Sequence, residues 1–413
     1  MYLVKMWNDT SLILRILCGL VLGALLGLVC PGLPVISIFG SVFVGSLKAV
    51  APILVFVLVI SALANASGNI GGRFRTVIIL YMLSTFLAAV VAVLGSFLFP
   101  VQMKLDVAAA TNTPPGSIGE VLTNLITNMV TNPVSSIANA NYIGILFWAI
   151  IFGIGLKKCA SPSTRKVFQE LSDVVSQAVR WIINLAPFGI MGLVFDTVAE
   201  NGLSIFSDYG KLLAVLVGCM LVVALVVDPF IAFLFLHRNP YPLVLRCLKD
   251  SGLTAFFTRS SAANIPVNMN LCASLGLDQD FYSVSIPLGA TINMDGAAIT
   301  ITVMTLATAH SLGYQIDIPS AILLSLLATI GACGASGVAG GSLLLIPMAC
   351  SLFGISSDIA MQVVTVGFII GVVQDSVETA LNSSGDVMFA ATAEYHDRQK
   401  RGESMRWLGK DEE

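Results

Sequence analysis

Charged residues are scarce in this sequence: 21 Lys and Arg and 24 Asp and Glu among 413 residues, 11% in all. Soluble domains carry about a quarter, so a water-soluble fold could not cover itself with this composition. No basic run is long enough to track a phosphate backbone, and nucleic acid is not an expected partner. Histidine is nearly absent. His237, His310 and His396 stand near the ends of apolar stretches, no H-E-x-x-H occurs, and a metalloenzyme is poorly supported. The cysteines (Cys18, Cys30, Cys159, Cys219, Cys247, Cys272, Cys333, Cys350) are scattered without a C-x-x-C pair. That pattern indicates neither a zinc site nor a disulfide framework, only small buried side chains. Short alternating stretches, the mark of a transmembrane barrel, are missing too.

What remains is apolar: 56% hydrophobic residues and a mean hydropathy of +0.89. The apolar residues come in long blocks, at 11–30, 77–99, 142–156, 178–198 and 212–235. A bilayer span needs ~20 such residues, and in lipid each must be a helix, because backbone polar groups find partners only within their own segment. The fold class is an all-α polytopic membrane protein. Lys5 followed by an apolar block without a cleavage site reads as a first span rather than a signal peptide.

Basic residues cluster at Arg73 and Arg75, at Lys157, Lys158, Arg165 and Lys166, at Arg238, Arg246 and Lys249, and in the tail after Tyr395. Connections at 31–34, 102–141, 199–209 and 309–319 are poor in them. The positive-inside rule then gives six alternating spans up to residue 250, with both termini cytoplasmic. The whole chain, 1–413, forms one membrane domain: spans over 1–249, a different organisation over 250–395, and a tail over 396–413. Within 102–141, Ile118, Val121, Leu122, Leu125, Ile126 and Met129 recur at helical spacing and predict a short amphipathic helix on the outer surface.

Beyond residue 250 the apolar runs are interrupted by polar, small-residue clusters at 258–264 and 331–342. Neither can cross hydrocarbon as an exposed loop. Each is followed by a proline, Pro266 or Pro347, and then by an apolar helix with an Asn and an Asp: Asn293 and Asp295, then Asn382 and Asp386. Two broken hairpins, each followed by a polar helix, form an internal repeat. The charge pattern gives its halves opposite orientation, which points to a midplane site in a secondary transporter.

Asp295, Asp375, Glu378 and Asp386 lie where apolar helices belong. A carboxylate at mid-bilayer costs roughly 2.5–3.5 kcal/mol on insertion scales and marks function. At ~100° per residue, Asp375, Thr379, Asn382 and Asp386 form one stripe with Glu378 beside it. Gly289 and Gly296 flank Asn293-Met294-Asp295 and weaken that helix, which frees carbonyl oxygens for a hard cation. The tip Ser260-Ser261 precedes a half-helix whose N-terminus suits a carboxylate. The glycine-rich tip at 336–341 has the composition of a flap. Asp228, before Pro229, reads as a structural residue near a span end.

These motifs, carried by 48–52, 258–267, 285–298, 334–347 and 374–386, resemble those of the dicarboxylate/amino acid:cation symporter family, over essentially the whole chain. Within it the chain is most similar to the bacterial branch that carries serine and threonine with sodium. The resemblance implies eight transmembrane helices plus two oppositely oriented re-entrant helical hairpins. It implies a first sodium site from Gly289, Asn293, Asn382 and Asp386. A second would use backbone carbonyls near Thr291, Ala332, Cys333 and Ala335, and a third Tyr81, Ser84, Thr85, Asn293 and Asp295. The substrate's ammonium would pair with Asp375, and its carboxylate would meet Ser260, Ser261 and Asn382. Val338 and Gly340 would close over it from the second hairpin, the gate. Hairpins and last spans, joined by the third and sixth, would move as an elevator against a homotrimeric scaffold in the lipid of the bacterial inner membrane, with no organic cofactor.

Two departures bear on the substrate. The glutamate branch has arginine at the Glu378 position and threonine at that of Ala297. Replacing a cation by an anion repels a dicarboxylate, so a small neutral amino acid with a hydroxyl near Thr379 or Glu378 is expected. Arg259 leaves the alternative open: it pairs with Glu378 or Asp375, or it holds an acidic side chain, as a sodium-coupled acidic amino acid or dicarboxylate symporter requires. A distant alternative, an intramembrane aspartyl protease, needs paired aspartates, but the G-x-G-D form is absent. A passive channel has no need of two opposed glycine-rich gates.

Overall fold

The computed structural model describes residues 10, 12–65, 72–105, 123, 126–333, 335, 340–403 and 407–409. Among these every regular element is helical. Six stretches are long and apolar enough to cross a bilayer, and up to seven when a bent pair counts as one span. The amphipathic segment expected over 118–129 falls largely outside the described residues, with Ile118, Val121, Leu122 and Leu125; 126–129 are helical.

The first helices are α1 (Leu12–Val29), α2 (Pro34–Asn65) and α3 (Gly72–Leu98). A short α4 (Pro133–Ala138) starts at Asn132, whose side chain accepts from Val134 N and Ser135 N. Asn141 likewise opens α5 (Tyr142–Cys159), and Ser161 opens α6 (Pro162–Asn184); such caps satisfy amides left free at a helix start. The apolar block 178–198 is not one helix. It breaks between α6 and α7 (Ala186–Asn201) with a 54° bend, because Pro187 has no N–H for the preceding turn.

A second proline shapes the next span. The helix α8 (Ile205–Val222) passes through a π turn at Val223–Val227 into α9 (Asp228–Leu236). Pro229 cannot donate to the carbonyl of Leu225, and the Tyr241 hydroxyl does so instead at 3.0 Å. Asp228 therefore lies within the 32-residue stretch Ile205–Leu236, toward its end.

The first polar cluster is a hairpin tip. After α10 (Tyr241–Cys247), a π turn at Leu248–Gly252 and α11 (Leu253–Thr258), the chain reverses at Arg259 (φ 52°) into α12 (Ser261–Ser274). The arms are antiparallel: Arg246 Nη2 donates to Ser274 Oγ at 2.9 Å, and Ser251 Oγ to Asn268 Oδ1 at 2.5 Å. Next come α13 (Gln279–Ile292) and α14 (Asp295–Ser311), separated by a break at Asn293 and Met294. The second cluster joins α15 (Ile318–Ala332) to a 3-10 turn at Ser342–Leu345 and α16 (Ile346–Ser351). Last is α17 (Ser357–Arg401), 45 residues long, ending at left-handed Gly402.

Two groupings position the site. Helix α1 lies directly on α7 along Gly19, Gly23 and Gly27, where a Cβ would fall 2.2, 2.3 and 2.7 Å from carbonyl oxygens of Pro187, Met191 and Phe195; small residues four apart allow such approach. Helix α2 packs on α5, α6 and α7. The other grouping surrounds α17, which touches α3, α8, α9 and α11 to α14. Outward faces are apolar, with Leu22, Leu25 and Leu28 on α1 and Phe230, Phe233 and Leu234 on α9 exposed. At the start of α13, Arg73 hydrogen-bonds Asp278 at 2.6 Å and holds its carboxyl below the usual range.

Candidate substrate and cation site

The middle of α17 is buried, and both hairpins and the break in α13–α14 converge on it. At the break, Asn293 (φ −91°, ψ 84°) and Met294 (φ −124°, ψ 50°) leave helical geometry. Asn382 on α17 bridges the gap: its Oδ1 accepts from Gly296 N at 2.7 Å, and its backbone O accepts from Asn293 Nδ2 at 3.0 Å. Asn293 Nδ2 also reaches Asp386 Oδ1 at 3.1 Å. Gly289 completes this cluster, because a Cβ there would sit 2.7 Å from Asp386 Oδ1. Asn293 Oδ1 and Asp386 Oδ2 are buried acceptors with no hydrogen-bond partner among the described residues. Buried polar atoms are nearly always paired, so two orphaned oxygens together fit a cation. The structure thus unites Gly289, Asn293, Asn382 and Asp386.

Beside them, Ser84 on α3 hydrogen-bonds Asp295 Oδ2, and Thr85 donates to Asp295 Oδ1 at 2.8 Å. Tyr81 was expected in this group. Its hydroxyl instead donates toward Asp386 O (3.0 Å) and Ser285 O (3.3 Å), within the first cluster. Of the carbonyl set expected under the second hairpin, Cys333 lies at the break, its Sγ 3.6 Å from Ile292 O. Ala332 and Ala335 are buried. Thr291 is exposed, and its hydroxyl turns back to Leu288 O at 2.7 Å.

The expected substrate residues form a second centre. Arg259 Nε donates to Asp375 Oδ2 at 2.6 Å, and Gly340 N to Asp375 Oδ1 at 3.2 Å, so one carboxylate links the tips of both hairpins. Arg259 thus pairs with Asp375 and not with Glu378. Thr379 Oγ1 donates to Asp375 O at 2.7 Å. Ser260 caps α12 by accepting from Ala263 N at 3.2 Å, and Ser261 is buried. Val338 lies outside the described residues. The cleft beside Arg259, Gly340 and Asp375 has a volume of ≈ 10 Å³, room for about one water.

Glu378 has partners that sequence reasoning missed. Its Oε2 accepts from Gln374 Nε2 (2.5 Å), Thr300 Oγ1 (2.7 Å) and Ser342 Oγ (2.9 Å). Gln374 stands one turn before Glu378, a usable signal; Thr300 and Ser342 come from other elements and leave none. A further polar seam, also missed, ties the first hairpin to α17. Asn264 Nδ2 donates to Ser383 Oγ at 2.8 Å and Asn268 Nδ2 to Ser383 O at 3.1 Å.

A family model described as the sodium:dicarboxylate symporter family matches residues 12–395, which span every element of this site. The chain belongs to that family. Proteins named serine/threonine transporter SstT are similar along nearly all of it. One from Bifidobacterium adolescentis is 62% identical over 399 residues, covering 97% of this chain and 93% of that one. Another, from Streptococcus thermophilus, is 57% identical over 392 residues, 95% of this chain and 97% of that one. A third, from Streptococcus agalactiae, is 58% identical over 392 residues, with the same coverage. This member of the symporter family is a transporter and not an enzyme. The family description names dicarboxylates; in this chain an acidic residue, Glu378, stands beside the stripe.

Proposed function

We propose that this chain imports serine and threonine by sodium symport. The observation that carries the sodium half is a pair of buried oxygens without partners among the described residues, Asn293 Oδ1 at a helix break and Asp386 Oδ2 on α17. One sodium ion would be held there with carbonyls of Gly289 and Asn382, a second by carbonyls near Thr291, Ala332, Cys333 and Ala335. A third would be held by Ser84, Thr85, Asn293 and Asp295. The substrate's ammonium would meet Asp375, its carboxylate the N-terminus of α12 at Ser260 and Ser261 and the amide of Asn382. The hydroxyl would lie near Glu378 and Thr379. Arg259 pairs with Asp375 through Nε, and its Nη1 has no partner among the described residues, so the disfavour toward an acidic side chain rests on Glu378.

The architecture supporting this reading is eight spans and two hairpins. The spans are α1, α2, α3, α4–α5, α6–α7, α8–α9, α13–α14 and α17; the hairpins are α10–α12 and α15–α16. Helices α1, α2 and α4 to α7 serve as scaffold, and the remainder moves against them as an elevator in a homotrimer of the inner membrane, termini cytoplasmic. Calorimetry of serine binding to the purified chain tests the proposed symport. Binding is expected in sodium and not in potassium, with threonine competing; sodium-independent serine binding overturns the reading.

A further inference from the structure

We propose that Asp228 is a ligand of the cation site built on Asp295, which gives that site two carboxylates. The inference rests on the sodium coupling proposed above and adds a residue outside the set Ser84, Thr85, Asn293 and Asp295. Asp228 follows the π turn of the sixth span and is 2% exposed. A carboxylate at that depth faces a partner or a cavity. Ser84 Oγ lies 3.1 Å from Asp228 Oδ1 while also hydrogen-bonding Asp295 Oδ2. A hydroxyl has one proton, so it serves one carboxylate and turns lone pairs toward the other. Thr85 offers no relief: its proton goes to Asp295 Oδ1, and it accepts from Met294 N at 3.2 Å.

Two buried carboxylates around one hydroxyl carry negative charge that no basic side chain among the described residues pairs with. A cation between them removes the conflict. The second oxygen of Asp228 accepts no hydrogen bond among the described residues. Asp228 also lines a small cavity with Ala224, Cys247, Leu381, Ser384 and Gly385, a space that Ser84, Thr85 and Asp295 do not line. Gly385 backs onto Asn293, whose Nδ2 is 2.7 Å and whose Oδ1, without a partner among the described residues, is 3.9 Å from where a Cβ would be. Carboxylate, hydroxyl and amide oxygens are what a hard monovalent cation takes.

The test uses the full-length purified chain and Asp228→Asn, which keeps the shape and the contact to Ser84 but drops the charge. Sodium-dependent thermal stabilisation is measured without amino acid, and serine binding is titrated with sodium. Asp228→Asn should raise half-saturating sodium by roughly tenfold or more, with serine affinity at saturating sodium little changed. If that variant does not fold, Asp228→Glu, which keeps the charge, should retain sodium-dependent stabilisation while Asp228→Ser loses it. Unaltered sodium titration in the charge-free variants overturns the assignment. Both titrations are repeated between pH 5 and 8; a change in Asp228→Asn confined to the pH dependence also overturns it, because it would mean a proton on Asp228 rather than a cation beside it. Should the parent chain itself show no sodium effect, the sodium-coupled reading falls, and this assignment with it.

Discussion

Arg259 Nε and Asp375 Oδ2 stand 2.6 Å apart, and the two side chains are only 10% and 4% exposed. The pair joins the tip of the first hairpin to the last helix, and Gly340 N adds the second hairpin to the same carboxylate. Removing one partner of a buried pair strands the other and costs roughly 3–5 kcal/mol. Arg259→Ala should therefore lower the melting temperature clearly. Arg259→Ala with Asp375→Ala should recover most of the loss, a coupling that a double-mutant cycle reads directly.

Glu378 stands at the end of the site proposed to meet the substrate side chain. Glu378→Gln retains an oxygen for Gln374, Thr300 and Ser342, so folding should persist, but the repulsion of an acidic substrate disappears. Aspartate should then compete with serine about tenfold better than against the parent chain, a change of ~1.4 kcal/mol. Equal aspartate inhibition of both proteins would show that Glu378 does not face the substrate.

Gly289→Ala places a methyl 2.7 Å from Asp386 Oδ1 and 2.9 Å from Tyr81 Oη. The cluster must shift, so half-saturating sodium for serine binding should rise about tenfold or more. Sodium-induced stabilisation, which follows mass action, should shrink in parallel.

Gly340 has φ 71°, and a Cβ there would lie 3.0 Å from Phe368. Left-handed backbone costs an ordinary residue roughly 1–2 kcal/mol. Gly340→Ala should loosen the closed tip and its bond to Asp375, seen as faster serine dissociation with sodium affinity at the first site nearly unchanged.

Much of this was legible in the chain. The stripe Asp375, Thr379, Asn382, Asp386 follows from helical spacing, and α17 carries it unbroken. Gly289, Asn293 and Asp386 lie together, as the family resemblance implies. Other features depend on contacts between distant elements. Arg259 lies 116 residues from Asp375, and nothing in its neighbours chose that partner over Glu378. Thr300 and Ser342 are ordinary small polar residues until folding brings them to one oxygen. Pro229 would end many helices, but a π turn and the Tyr241 hydroxyl carry this one past it, which no residue pattern announces. The bend at Leu185 was likewise hidden inside an apolar block that hydropathy reads as continuous.

The most direct test of the central claim is uptake of radiolabelled serine into proteoliposomes, with and without an inward sodium gradient, challenged by excess threonine or aspartate. The account predicts accumulation that needs the gradient, is blocked by threonine and ignores aspartate. Uptake without sodium, or block by aspartate in place of threonine, would contradict it.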